Sequence, residues 1–344
     1  MPHPSRPTIR DVAVAAGVSP TTVSHALNGK GVVRQETELR IREVAERIGY
    51  RPSAIARGLR SSRLGLIGLI MRPFSTLDSF VPEGVDYFLR IAGAASLTAM
   101  EHGYSLMMVD DPTKAGSPVS ALAADVYIVT EPFEDDHVLT MLDRERLPFV
   151  TLGADPSRPD NFHSIDILAE AQTIEMLSHL TESGGRTLAL VTGTDRTEWN
   201  FTAQRTYREW CERHGQAPLL MAIPEAEGEQ AGDIALDHFF ANDAPTRPDA
   251  IYCLTGRHAS GVAAAAIARG ISVPEQLLVA AGSGSVQNLT QRPTVTAFDL
   301  RPDLIAQRAV EYAICLVEGK PLPEAMQAPP AVLYVRESTL RSVN

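Results

Sequence analysis

The sequence predicts a two-part fold: a small all-α headpiece of the helix-turn-helix type, followed by a larger α/β domain of two lobes with parallel sheets. Three observations predict it. At 344 residues the chain exceeds what one ordinary hydrophobic core supports. Its first fifty residues are patterned as short helices around a glycine turn, and beyond Leu64 apolar strand-like runs alternate with amphipathic helices. The expected division is 1–50 for the headpiece, 51–63 for a hinge and linker, and 64–344 for the larger domain. Within the last, lobe 1 is expected at 64–165 and 295–322 and lobe 2 at 166–294 and 323–344.

The headpiece begins at Thr8. Thr8-Ile9-Arg10-Asp11 has the residue types of a helix start, and Ile9, Val12, Ala13 and Ala16 recur on one face. Gly17 ends this helix in a conformation costly to other residues, Val18 packs the turn, and Ser19 caps a second helix running from Pro20 to Leu27. In a helix-turn-helix the second helix enters the major groove with its N-terminal residues toward base edges, which makes Thr21, Thr22, Ser24 and His25 the candidate readers. Val23, Ala26 and Leu27 lie on the opposite side and should anchor it to Ile41, Val44, Ala45 and Ile48 of a third helix beginning near Gln35.

Charge supports this division. The chain carries a formal net charge of −11, yet residues 1–60 hold ten Lys and Arg against five Asp and Glu, leaving 21 basic and 37 acidic residues beyond. A basic head on an acidic body suits a polyanion-binding module on a body kept off nucleic acid by like charge.

In the larger domain strands alternate with helices. A buried strand at 64–71 precedes a helix at 85–101 and strands at 104–109, 125–130 and 148–152, with a helix at 135–146. A second set follows near Asp166: helices at 167–182, 202–214, 229–240 and 257–268, with strands at 186–192, 218–223, 249–254 and 277–281. Open parallel sheets bind ligands at the carboxyl ends of their strands, so a small-molecule site is expected on the loops there, between lobes able to close on each other. The candidates are Arg72, Phe74, Glu131, Asp166, Trp199, Asn200, Arg205, Arg257 and Ser283, with Trp199 suited to stacking on a flat ligand face.

Residues 8–60, TIRDVAVAAGVSPTTVSHALNGKGVVRQETELRIREVAERIGYRPSAIARGLR, resemble the DNA-binding headpiece of the lactose-repressor/galactose-repressor (LacI/GalR) family, nearly without gaps. The resemblance implies DNA contacts at Thr8, Ser19, Pro20, Thr21, Thr22, Ser24, His25, Asn28, Arg34 and Tyr50. It also implies a hinge helix carrying Ser53, Ala56 and Leu59, in which Leu59 wedges into the minor groove. His25 stands where the family usually has arginine and Ser53 where it usually has asparagine. Arginine reads guanine through two parallel bonds that histidine cannot reproduce, so the family's usual half-site does not carry over to this chain by resemblance alone.

Beyond the headpiece, Gly103-Tyr104, Pro148, Asp166, Gly193, Gly270 with Val273-Pro274-Glu275, and Arg292 to Thr296 are similar to landmarks of that family's sensor domain, a periplasmic-binding-protein-like (type I) fold. Three polar anchors the family uses for sugars are missing or moved: Ala203 stands where the family usually has an arginine, with Arg205 two positions later, Thr255-Gly256 stands for an Asn-Asp pair, and Ala281-Gly282-Ser283-Gly284 for a Gly-Phe-Asp-Asp run. The implied function is a sequence-specific transcriptional regulator, a repressor governed by a small-molecule effector, acting as a homodimer on double-stranded operator DNA. A ligand-dependent activator and a non-regulatory small-molecule-binding protein remain the alternatives.

Other classes lack support in the residues. No nucleophile elbow, metal cluster or phosphate-cradling loop has supporting spacing, so an enzyme, a metal and a cofactor are not expected. Cys211, Cys253 and Cys315 lie far apart in apolar stretches and read as reduced core residues. Neither a secretory leader nor an apolar run of ~20 residues is visible, so a cytoplasmic protein without membrane contact is expected.

Overall fold

The computed structural model describes residues 7–28, 33–50, 63–71, 86–158, 163–241, 246–322 and 326–341, excepting the side chains of Asn28 and Asp86. Two compact units divide the chain, residues 1–65 and 66–344.

In the first unit, helices α1 (Ile9–Ala16), α2 (Pro20–Asn28) and α3 (Gln35–Arg47) form the expected three-helix core. Gly17 takes a left-handed conformation at φ 65° and closes α1, and the Val18 N–H donates to Ala13 O at 3.0 Å. Val12, Ala16, Val23, Ala26, Ile41 and Val44 make the core, with Val18, Leu27, Ile48 and Tyr50 packed at its edge. The helix start is tied by a side chain one turn in. The Asp11 carboxylate accepts from both the backbone N–H and the hydroxyl of Thr8, at 2.7 and 2.8 Å, and these bonds hold its pKa below the usual carboxylate value.

The second unit has two sheets. The first joins β1 (Leu66–Met71), β2 (Ser105–Val109), β3 (Val126–Thr130), β4 (Phe149–Leu152) and β5 (Ser164–Ile165) in the order β2-β1-β3-β4-β5, all parallel. Helices α4 (Asp86–Glu101) and α5 (His137–Arg144) belong to the same lobe. Its central strands are buried throughout because helices cover both faces, which is why they read as continuous apolar runs. Gly68 is required there, since a Cβ would meet the Tyr127 ring at 2.6 Å.

The second sheet contains β6 (Leu188–Thr192), β7 (Leu219–Ala222), β8 (Ala250–Cys253), β9 (Leu278–Ala281), β10 (Thr296–Asp299) and β11 (Val332–Tyr334) in the order β11-β10-β9-β8-β6-β7, only β11 running antiparallel. It is flanked by α6 (Ala169–Glu182), α7 (Glu198–His214), α8 (Ala231–Phe239), α9 (Gly256–Ala268) and the short α10 (Val286–Thr290).

Two expected lobe boundaries are corrected. Residues 295–299 were expected in lobe 1. Instead β10 pairs with β9, and Val295 and Ala297 pack against Val279 and Ala281 in the second sheet's core. Only α11 (Pro302–Glu318) returns to lobe 1, where Ile305, Ala309 and Val310 pack with Ile91 and Ile128. Near 323 the expected switch comes too early: Met326 and Ala328 still pack in lobe 1, and Ala331 is the first residue packed in lobe 2.

Two of the three crossings share one construction. Asp166 Oδ1 accepts from Leu168 N–H at 2.8 Å, and Asp299 Oδ1 from Arg301 N–H at 2.9 Å. Leu168 and Arg301 both sit left-handed, at φ 59° and 54°, immediately before a helix. Such backbone costs a non-glycine residue roughly 1 kcal/mol or more, and the aspartate bond offsets part of it.

Candidate DNA-reading surface and ligand cleft

The outer face of α2 follows from its periodicity. With Val23 and Ala26 buried, Thr21 and His25 point to solvent and Thr22 and Ser24 lie at the rim. Ser19 caps the helix: its Oγ accepts from Thr22 N–H at 3.1 Å and lies 2.9 Å from Thr22 Oγ1. Pro20 occupies the first helical position and is exposed, as is Arg34 just before α3. Tyr50 is half-buried at the core's edge, its N–H donating to Ala45 O at 2.8 Å. Asn28 closes α2. The hinge candidates Ser53, Ala56 and Leu59 lie outside the described residues.

The cleft of the second unit lies where strand ends of the two lobes meet. The β3 end carries Glu131, left-handed at φ 43°, and the β6 end leads through Asp195 into α7 with Trp199 and Asn200. Backbone pairing closes this side: Phe133 bridges Thr197, and Glu134 N–H donates to Arg196 O at 2.8 Å. Arg196 also pairs with the Glu134 carboxylate, and Glu198 Oε2 accepts from Ala154 N–H at 2.5 Å.

Inside lies a narrow cavity lined by Tyr87, Glu131, Ile167, Gln172, Trp199, Leu300, Ile305, Ala328 and Pro329. A larger one of about 250 Å³ adjoins it through Tyr87 and Leu300, and reaches Ser283, Gly284, Asp299 and Arg336. Ser283 Oγ there donates to Leu254 O at 3.4 Å.

Carboxylates dominate the electrostatics. Desolvation, with Glu225 and Asp195 nearby, raises the Glu131 pKa to about 7. Burial and Glu225 push Asp195 up to about 6, and burial raises Glu198 against its bond from Ala154. Glu225 is held on a loop of backbone donors, accepting from Thr194 N–H at 3.1 Å, Asp195 N–H at 3.3 Å and Asn200 Nδ2 at 3.0 Å. Gly193 permits this approach, because a Cβ at that position would collide with the Glu225 carboxylate.

The structure distributes the sequence candidates unevenly. Glu131 and Trp199 share the narrow cavity, and Ser283 lines the adjoining one. Asn200 is a scaffold residue: its Oδ1 accepts from Gly193 N–H, and its Nδ2 donates to Asp195 O and to Glu225. Asp166 is bonded to Leu168 at the crossing. Arg205 departs from expectation. Ala203 faces inward at 0% exposure, which turns Arg205 two positions on to the outer face of α7, where it pairs with Glu170 at 3.2 Å. Arg257 lies against Gly228, with its buried Nε unpartnered. Arg72 and Phe74 fall outside the described residues.

Tyr87, Asp195 and Glu225 were missed by the sequence reading. The strand-end rule covers Asp195, two residues nearer β6 than Thr197. No local signal marks Tyr87, which reaches the cleft from α4 only because α4 and α11 pack together. Among the cysteines, Cys211 and Cys253 are buried while Cys315 is only partly so. Among the described residues no group of His, Cys, Asp or Glu could hold a metal ion, and no helix is long and apolar enough to cross a membrane.

A three-helix headpiece with an exposed recognition helix, joined in one chain to a two-lobed parallel α/β domain, defines the class of DNA-binding regulators. Comparison with known proteins agrees. Residues 8–53 match the family of bacterial regulatory proteins of the lacI type, and residues 177–339 match the periplasmic binding protein-like domain. Among curated proteins, the chain is 28% identical over 283 residues to catabolite control protein A of Staphylococcus epidermidis, covering 79% of this chain and 80% of that one. It is 27% identical over 326 residues to the HTH-type transcriptional repressor PurR of Aliivibrio fischeri, covering 91% and 92%.

Among solved structures, the Lac repressor dimer bound to operator and the anti-inducer ONPF superposes with a TM-score of 0.78 at 20% identity, over 98% of this chain and all of that one. The regulator CelR in its cellobiose complex gives 0.67 at 20% identity, over 97% and 100%. The chain thus joins a lacI-type DNA-binding domain to a periplasmic binding protein-like domain, the arrangement of transcriptional regulators to which it is similar.

Proposed function

We propose that this regulator is a repressor whose affinity for a two-fold-symmetric operator is set by a small molecule held between the lobes. The observation that carries the reading is the cleft itself: strand ends from both lobes converge on adjoining cavities, and Phe133, Glu134 and Ala154 of lobe 1 bond to Thr197, Arg196 and Glu198 of lobe 2. A ligand preferring the closed arrangement would stabilise that state by its differential affinity, and operator affinity would follow if the two states hold the headpieces differently.

DNA reading falls to Thr21, Thr22, Ser24 and His25, with Thr8, Ser19, Pro20, Asn28, Arg34 and Tyr50 toward the backbone and Ser53, Ala56 and Leu59 in the hinge. One such helix reads few base pairs, so two copies on a palindrome are the expected arrangement. Exposed apolar side chains in both lobes support dimerisation through the larger domain: Leu97 and Met100 on α4, Met108 on edge strand β2, and Val286 and Leu289 on α10.

The test is selection of random duplexes on the full chain at about 0.15 M salt, where specific and non-specific binding separate. The expected outcome is one palindrome, with the central half-site bases changing in a His25→Arg variant. Absence of any enriched sequence with parent protein defeats the reading.

A further inference from the structure

The ligand class of the cleft can be read from its electrostatics, deepening the effector reading above and resting on it. Glu131, Asp195 and Glu225 lie close enough for one to disfavour ionisation of another, and among the described residues none of the three takes part in an ion pair. Asp195 lies in the loop after β6, and Glu225, from the segment after β7, is bonded to that loop, whereas the Glu131 carboxylate has no hydrogen-bond partner among the described residues and lines the narrow cavity. Its neighbours there are two aromatic side chains, Tyr87 and Trp199, with apolar Leu300 and Ile305. Arg257, the cationic candidate of lobe 2, forms no ion pair among the described residues.

A half-buried carboxylate without a partner, as at Glu131, is unfavourable, and the cost is removed by a cation brought to it. Aromatic faces attract cations further through their quadrupole, whereas an anion placed here would add to an existing repulsion. The three missing or moved sugar anchors, at Ala203, Thr255-Gly256 and Ala281 to Gly284, point away from a ligand held by hydroxyls alone. We propose that the effector is a small organic cation whose protonated nitrogen pairs with Glu131 between Tyr87 and Trp199. Gln172, which donates to Ile167 O at 2.8 Å, lines the same cavity and contributes shape.

The experiment measures thermal stabilisation and calorimetric binding on the full-length protein at about pH 8, above the Glu131 pKa of about 7, where its carboxylate is ionised. The probes are putrescine, agmatine and glucosamine, set against neutral 1,4-butanediol and glucose and anionic glucose 6-phosphate. At least one amine should bind about tenfold tighter than its neutral counterpart, and Glu131→Gln should weaken it by about the same factor. Glu131→Asn is the second variant, since asparagine tolerates the left-handed backbone and keeps the turn. The proposal is overturned if no amine binds at about 10 mM, about the weak limit of specific recognition. Equal binding of neutral or anionic probes overturns it too, as does amine binding that survives both substitutions. Anisotropy on the selected operator separates the two readings. An amine that binds without altering operator affinity defeats the effector reading alone, whereas a neutral probe that alters it in a Trp199-dependent way defeats the cation alone.

Discussion

In the headpiece, Thr21 and His25 project into solvent because Val23 and Ala26 hold the inner face of α2, and the reading surface follows from one helix's periodicity. In the cleft, residues of the same polar kinds are mostly engaged within the protein. Asn200 serves Gly193, Asp195 and Glu225, and Asp166 serves Leu168, while Arg205 lies outside the cleft, paired with Glu170 on the outer face of α7. Glu131 and Arg257 are the exceptions: among the described residues the Glu131 carboxylate has no hydrogen-bond partner, and neither has the buried Arg257 Nε. The contrast teaches that a surface made by local spacing keeps its polar groups available, while one made by long-range contacts does so only at selected points.

Three changes sharpen or break that comparison. The largest effect is expected in the headpiece core: Ile41, at 0% exposure, anchors α3 against α1 and α2. Ile41→Ala should cost about 2 to 5 kcal/mol, enough to unfold a domain of this size. Circular dichroism should register lost helix, with operator binding abolished and the melt of the larger domain unchanged. Retained operator affinity would show that the reading surface does not depend on this core.

The second is in the cleft and depends on pH. Glu131 has a pKa of about 7 in the folded chain against the ordinary glutamate value of 4.5, so between these limits the folded state binds more protons than the unfolded one. Stability contributed by its neutral form is therefore lost as pH rises from 4.5 to about 7, and the full penalty stands above that. Glu131→Gln, which cannot ionise, should be more stable than the parent near pH 8 by up to about 3 kcal/mol, and the advantage should vanish toward pH 4.5. Parallel melting curves across this range would remove Glu131 as an uncompensated charge.

The smallest effect concerns Arg205, whose pair with Glu170 is exposed at 60% and 58%. Arg205→Ala should change stability by at most about 1 kcal/mol and leave ligand binding as it was. A large loss of ligand affinity would return Arg205 to the cleft.

The headpiece is legible in detail from its residues, because Gly17, Ser19 and the spacing of Val12, Ala16, Val23, Ala26, Ile41 and Val44 act within one or two turns of helix. So is the alternating α/β character of the larger domain, since a strand covered on both faces must be apolar throughout. Tertiary structure alone decided the lobe membership of β10, which depends on the partner strand beside it and not on its own four residues. It likewise decided the cleft. Tyr87 from α4, Glu131 from β3 and Trp199 from α7 are far apart in sequence, and only the packing of the two lobes determines which polar atoms find partners and which face a ligand.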